Sequence, residues 1–459
     1  MNTIPELRQM DPHAQDYIDF LNESHSPYHA IAAMQQRLEA DGFCRLKERD
    51  AWSLEAGKKY YLTRDGNSLF AFKMPAGKPT RFVMAGAHSE SPVWRLKSTA
   101  HALNKKGLRM CAVEPYGGGL WQTWVDRDLT MSGRLMVKSN DSIETLLVDA
   151  GRPIFRFPSI AIHLAKERKD PLNFDLANDF IALFGDSDDS DESEEGKKKA
   201  PKIRNGWDDK LMRLLLDSAG RTDLAVDDVL DFDLDLRDVT PAGTIGFNNE
   251  FIAGQRQDNL HGSYTSMRGF MSAQPSSDAV QIFASFNHEE VGSRSNTGAN
   301  SVYTASILRR VLNTVSEDEY QRFIASSFIV SNDMSHSVHP TLSDRHDSTV
   351  DVKLNKGCVL KISGRQAYAS SGSSSALLRF IAESNKIPLQ IVSNKNTVRG
   401  GGTIGSMVAA LTGCLTVDIG GPLLGMHSIR ELCGVKDVSL TISLIQTVFD
   451  QAQTRMALE

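Results

Sequence analysis

Cysteine is scarce and scattered. The five residues, Cys44, Cys111, Cys358, Cys414 and Cys433, form no CxxC pair, which argues against a disulfide framework or a cysteine-built metal site and predicts a reduced, cytoplasmic protein. No uncharged apolar stretch approaches the roughly 18 residues of a membrane span. The opening residues, MNTIPELRQMD, lack the basic-then-apolar order of a secretory signal. A basic excess is missing too: 51 Lys and Arg face 57 Asp and Glu, for a net charge of −6. That balance offers no broad surface for nucleic acid or for an anionic membrane. Phosphate-binding glycine spacings are absent, so the GGG triplets at 117–119 and 400–402 read as tight turns or close backbone approaches. Hydroxyls crowd residues 371–375 without a nucleophile elbow, which argues against a serine hydrolase.

What remains is an ordinary globular composition, 41% hydrophobic and 24% charged over 459 residues. Single cores rarely outgrow about 250–300 residues, so two domains are expected. Apolar spacing predicts helices near Tyr17–Leu21 and Ile31–Leu38, then strands over 59–74 and 81–87. Between about 100 and 245 short β-rich pieces, such as 129–137 and 142–147, replace helical periodicity. That block holds the one low-complexity run, acidic and serine residues followed by lysines at 186–199, which reads as a solvated loop. Beyond 245, apolar runs at 279–286, 327–331, 358–362, 389–392 and 414–419 alternate with helical stretches at 301–315, 373–385, 404–412 and 438–455. The pattern predicts an α/β fold: a mixed, largely parallel sheet flanked by helices. Residues 1–100 and 245–459 would form one catalytic domain, interrupted by a β-rich insertion at 101–244.

The chemistry gathers where these strands end. His88 follows RFVMAGA, Glu289 and Glu290 follow VQIFASFNH, Asp333 follows SFIVSN, and His427 comes shortly after LTVDIGGP. In an open α/β sheet that edge binds ligands. Asp258, at the return from the insertion, could join them. Singly, each has a plainer reading: a hydrogen-bonded turn histidine, a charged helix start, or an N-cap aspartate. Together, two imidazoles and several carboxylates suit a pair of zinc ions sharing a bridging carboxylate. Such a site activates a water and polarises a carbonyl, which suits amide hydrolysis. One glutamate of the adjacent pair would bind metal and the other would move the proton. His336 and His339 fit either a second-layer or a substrate-contacting role, or simply a turn.

AHSESP at 87–92, YGGGLW at 116–121, DRDL at 126–129, RQDNL at 256–260, HEEVGS at 288–293, SNDMSHSVHP at 331–340 and MHSIRE at 426–431 together resemble the M18 metallopeptidases, the aspartyl aminopeptidase family, most nearly its bacterial members. The likeness runs from about residue 15 to 450. It implies an aminopeptidase that removes N-terminal residues, preferably acidic ones, from peptides. His88, Asp258, Glu290, Asp333 and His427 match the family's ligands to two zinc ions per subunit, with Asp258 bridging; manganese or cobalt are possible substitutes. Glu289 matches the general base. Lys361 corresponds to the position whose cation lines the pocket for an acidic first side chain. His163 matches a histidine that enters the partner subunit's active site. The insertion corresponds to a dimerisation domain, and the family's dimers assemble into a tetrahedral dodecamer.

Three positions depart from the family pattern. Glu90 replaces the aspartate that orients the metal-binding histidine, Ala367 replaces an arginine, and Thr397 replaces an aspartate. Because pocket and loop positions are the ones that change, a broader or neutral-residue aminopeptidase is the alternative. An inactive assembly scaffold is the other, and the intact ligand set argues against it.

Overall fold

A computed structural model describes residues 10–99, 102–164, 174–186, 207–312, 315–398 and 400–455. Apart from Asp186, the acidic run lies outside the described residues. The chain divides into two compact units. One holds the residues up to Glu90, Ala242–Met426 and those from Glu431 on; the other holds Ser91–Pro241 and His427–Arg430.

The first unit is a mixed α/β layer built on a nine-stranded sheet. Its strands run in the order Cys44–Arg45, Lys59–Arg64, Ser68–Lys73, Ala279–Phe286, Arg81–His88, Phe328–Asn332, Leu415–Gly420, Cys358–Ile362 and Leu389–Ser393. From Ala279–Phe286 to Leu415–Gly420 the four central strands are all parallel. Cys358–Ile362 then turns antiparallel to its neighbour. The central strands are buried along nearly their whole length because both faces are covered. Side chains alternate across a strand. Val83 and Ala85 therefore enter one core with Phe283, Val330 and Val417, while Phe82 and Met84 enter another with Ile282 and Ile329. Burying each such side chain contributes about 1.5–3 kcal/mol.

Helices close the two faces, and their starts are written locally. Pro12–Glu23 begins with Asp11 accepting the His13 N–H, and Pro27–Ala40 begins with Ser26 accepting the His29 N–H. In each, proline occupies the first turn, where no amide donor is needed. The helix Gln257–Ser272 is buried along nearly its whole length. A Cβ on its Gly269 would strike Ile445, so glycine lets this helix lie close against the C-terminal helix Val435–Arg455. A smaller five-stranded sheet, containing Phe251–Gly254 and Glu431–Gly434 as neighbours, completes the unit.

The second unit is an antiparallel sheet of Ile181–Asp186, Leu108–Tyr116, Val93–Leu96, Val229–Asp238, Leu129–Ser139 and Ser142–Asp149, with Ala102–Lys105 paired to Leu108–Tyr116. One helix, Asp209–Ser218, packs Leu211, Met212, Leu215 and Leu216 into its core beside Trp94, Phe157 and Phe180.

Candidate metal centre

His88 is the last residue of the strand Arg81–His88, paired with Phe286 of the neighbouring strand. Its main-chain carbonyl accepts the Ser263 hydroxyl at 2.8 Å, which ties the strand end to the helix Gln257–Ser272. The Nδ1 atom lies 3.1 Å from the Glu90 carbonyl oxygen and 3.6 Å from Glu90 Oε2. Both neighbours are acceptors, so Nδ1 carries a proton, which leaves Nε2 as the ring atom a cation would take. Nε2 faces Asp333 Oδ1 at 3.4 Å, Asp258 Oδ1 at 3.6 Å and Glu289 Oε2 at 3.9 Å.

Each carboxylate arrives from a different element. Asp258 sits in the first turn of the helix Gln257–Ser272. Glu289 and Glu290 form a short 3₁₀ turn after Ala279–Phe286, aimed by His288 in the left-handed region at φ 63°. The His288 ring is steadied by Ser295 Oγ at 2.8 Å. Asp333 follows Phe328–Asn332 and donates its N–H to Ile419 O at 2.9 Å. Gly420 passes so near that a Cβ there would run into the Asp333 carbonyl. Lys361, 3% exposed, brings Nζ to 3.8 Å from Asp333 Oδ2 and 5.5 Å from the Tyr368 ring.

One ligand atom each from His88, Asp258 and Glu290 falls within 4.8 Å of the others. Around them the charges are strongly perturbed. Burial opposes protonation of His88, yet the Glu90 charge and hydrogen bonds to Asp333 and Glu90 hold its pKa well above the usual imidazole value. Burial pushes Glu289 up to about 8; His88 opposes the shift and the Asp333, Glu90 and Asp258 carboxylates add to it. Asp333 goes the other way: burial raises it, but Lys361 and His88 hold it below the ordinary carboxylate range. Burial works against the Lys361 charge, and Asp333 outweighs it.

The carboxylates of Glu90, Asp258, Glu289, Glu290 and Asp333 thus converge on one imidazole and one ammonium. Crowded, buried like charges are tolerated when they are paired or coordinate a metal. Imidazole nitrogen plus carboxylate oxygen is a zinc donor set. The residues fit a divalent cation.

His427 belongs to the second unit, where its Nδ1 lies 2.8 Å from Gly118 O and its carbonyl accepts the Leu120 N–H at 2.9 Å. The glycine triplet at 117–119 therefore backs this histidine, with Gly118 as the acceptor that fixes its Nδ1 proton. His163 is exposed, between Ile162 at 80% and Leu164 at 72% exposure. His339 accepts the Thr341 N–H at 3.3 Å, and its own N–H goes to His346; among the described residues no hydrogen bond or ion pair joins it to the His88 cluster. Ala367 lines a cavity of about 700 Å³ together with Arg365, Asn394, Lys395 and Asn396. Ser263 and Gly118 escaped the sequence reading: one anchors through a hydroxyl in mid-helix, the other through a main-chain carbonyl that no side chain advertises.

Comparison with known proteins bears on what this geometry does. The family model described as "Aminopeptidase I zinc metalloprotease (M18)" matches residues 20–449. A "Probable M18 family aminopeptidase 2" of Stutzerimonas stutzeri is 36% identical over 443 residues, covering 96% of this chain and 98% of that protein. An "Aspartyl aminopeptidase" of Dictyostelium discoideum is 36% identical over 478 residues, covering 97% and 98%. Among solved structures, a chain of the "Ape4 and Nbr1 complex" superposes with a TM-score of 0.92 at 31% identity, covering 98% of this chain and 90% of that one. The "S. cerevesiae mApe1 dodecamer" superposes with a TM-score of 0.82 at 26% identity, covering 96% and 97%. The chain belongs to the M18 family of zinc metalloaminopeptidases.

Proposed function

We propose that the protein is a dinuclear aminopeptidase that removes the N-terminal residue from peptides, acidic residues preferentially. The convergence of His88 Nε2 with Asp258 and Glu290 carries this reading. His88, Asp258, Glu290, Asp333 and His427 are the residues that would hold the two ions, with Asp258 the carboxylate that the family resemblance assigns to both. Bound zinc would polarise the scissile carbonyl and make water a nucleophile at neutral pH; manganese or cobalt could substitute. Glu289, beside the ligands rather than among them, takes the proton from the attacking water and returns it to the leaving amine. A cation next to Glu289 would bring its raised pKa down toward neutrality, where a base works best. Glu90 and the Gly118 carbonyl keep the two imidazoles in the tautomer that exposes Nε2.

Lys361 supports the acidic preference as a nearly buried ammonium next to the cluster, and the aspartyl aminopeptidase relative agrees with it. Ala367 and Thr397 favour the broader specificity, because the family's arginine and aspartate are missing there. We infer further that the subunits form dimers and a tetrahedral dodecamer, a size named for one structural relative. His163 enters a partner's site in that assembly, and His339 contacts substrate. The free cysteines, four of them buried, suit a cytoplasmic setting. Among the described residues no helix is long and apolar enough to cross a membrane. Zinc-loaded protein tested on aminoacyl substrates that differ only in the first residue decides the matter. Rapid release of Asp and Glu over Leu and Ala is expected. Equal release would favour the broad reading, and none at all would leave a scaffold.

A further inference from the structure

Glu431 is 2% exposed and opens the strand Glu431–Gly434, directly opposite Gly254 in the ladder with Phe251–Gly254. Two of its groups hold two consecutive residues of the helix that carries Asp258. The carboxylate Oε2 accepts the Asp258 N–H at 2.9 Å. The main-chain carbonyl accepts Gln257 Nε2 at 2.7 Å, and the same amide nitrogen reaches Ile252 O at 3.1 Å. Asp258 and Asn259 have non-helical backbone angles at the head of this helix, so the Asp258 N–H lies outside the regular helical ladder and needs its acceptor elsewhere. Glu431 supplies that acceptor from an adjacent strand, since Arg256 ahead of the helix makes no side-chain cap hydrogen bond. The connection is rigid on both sides, since the strand is laddered and the helix packs against the C-terminal helix.

The consequence reaches the chemistry through the Asp258 side chain. The Asp258 N–H and its carboxylate share one Cα, so fixing the amide fixes the direction of the Cα–Cβ bond and narrows the rotamers that bring Oδ1 to its place 3.6 Å from His88 Nε2. We propose that Glu431 is a positioning residue for the metal centre: it sets the aim of the Asp258 carboxylate by accepting the Asp258 amide proton. The inference rests on the reading of the His88 cluster as a metal site.

The test is zinc affinity of the full-length protein, measured by competition with a chromophoric chelator, alongside kcat and KM for an aspartyl substrate. Outer partners of ligands typically change metal affinity or activity about 10–100-fold. Glu431→Ala should weaken zinc binding by that factor and lower kcat in proportion, with KM little changed. Glu431→Gln keeps the size and an acceptor oxygen, so it should stay within about threefold of wild type, the spread ordinary for a hydrogen bond retained between neutral groups. Metal-free melting temperatures of both variants separate lost folding from lost aim. Unchanged zinc affinity in Glu431→Ala would overturn the proposal. So would a tenfold loss in Glu431→Gln, and that second variant decides the question if the alanine protein does not fold. His88→Ala, run in parallel, keeps the two readings apart. If it too binds zinc like wild type, the metal site itself is misplaced; if it loses zinc while Glu431→Ala does not, only the role of Glu431 fails.

Discussion

The Glu290 amide donates to Glu90 Oε1 at 3.0 Å, and through this bond a residue two places after one metal-site histidine holds the backbone of a carboxylate two hundred positions further on. Glu90 also offers His88 Nδ1 its carbonyl oxygen at 3.1 Å, nearer than its own carboxylate at 3.6 Å. The orienting hydrogen bond on His88 is therefore main-chain, and the side chain's distinct task is to hold Glu290.

This division changes what substitution at Glu90 does. Glu90→Ala keeps the carbonyl, so His88 keeps its Nδ1 hydrogen bond, while the Glu290 amide loses its acceptor in a part-buried place. Zinc affinity should fall by about tenfold, the lower end of the range for such partners. Glu90→Asp is one methylene shorter and should restore most of it. Chelator competition reads both, and an alanine variant equal to wild type would show that the Glu90–Glu290 bond has no bearing on the metal.

Glu289 is separable from the ligands on the same assay. Glu289→Gln preserves volume and hydrogen bonding but cannot take a proton, and kcat should drop by about two to four powers of ten. Bound zinc should be unchanged, whereas His88→Ala should lose it. An active Gln variant would assign the base elsewhere.

Much of this arrangement can be read from the chain because the informative residues sit where local pattern is strongest. Apolar runs end at His88, Asn287 and Asn332, and the structure ends strands within a residue of each place. The helix Gln257–Ser272 went unread although Leu260, Tyr264, Met267 and Phe270 enter the core at three- and four-residue spacing; small and polar residues between them dilute the pattern, and close packing at Gly262 and Gly269 buries those as well. Glu317–Ala325 carried a readable start that went unused, the Ser316–Glu319 capping box. Asp209–Ser218 likewise sits in a block read as β-rich. The links from Glu431 to Asp258 and from Gly118 to His427 span 173 and 309 positions. Tertiary folding creates such bonds, and no local spacing announces them.

Metal removal should destabilise the catalytic unit. Without a cation, the carboxylates of Asp258, Glu290 and Asp333 crowd together beside Glu90, which is itself wholly buried. Ligand bound only by the folded state stabilises it by about 2.7 kcal/mol at one hundred times Kd. Calorimetry of chelator-stripped protein should show a lower first transition that zinc restores in wild type and not in His88→Ala. A transition insensitive to zinc would count against the site.

Asp437 governs stability away from the chemistry. It is fully buried in the first turn of Val435–Arg455, and its carboxylate accepts the Asn355 N–H at 2.6 Å and the Gly357 N–H at 2.8 Å. Asp437→Ala strands both donors, at about 1–3 kcal/mol each. Denaturant unfolding should therefore show a loss of about 2–5 kcal/mol, with zinc affinity per folded molecule unchanged. A loss below about 1 kcal/mol would mean that water or a local shift re-satisfies the loop.

The last prediction crosses the subunit boundary. His163 lies between Ile160, Ile162 and Leu164, which are 53%, 80% and 72% exposed. Soluble proteins tolerate single exposed apolar residues, but three within five positions, ending in the turn that Leu164 closes by donating its N–H to Ala161 O, expose apolar area that a second surface would cover. A neighbouring subunit is the covering surface in our reading, and it would carry His163 to that neighbour's metal centre. There the imidazole can donate to the oxygen that gains charge as water attacks the scissile carbonyl. Loss of such a donor costs about 10²–10³ in kcat, so His163→Ala should bind zinc and assemble normally while turning over that much more slowly. Replacing Ile162 with Asp should instead weaken assembly, read by analytical ultracentrifugation. Subunit mixing separates a shared site from a local one. His163→Ala chains combined with Glu289→Gln chains would yield some sites with an intact histidine from one chain and an intact base from the other, and activity should rise well above that of either parent. A mixture that co-assembles and stays as slow as its parents would place His163 outside the partner's site.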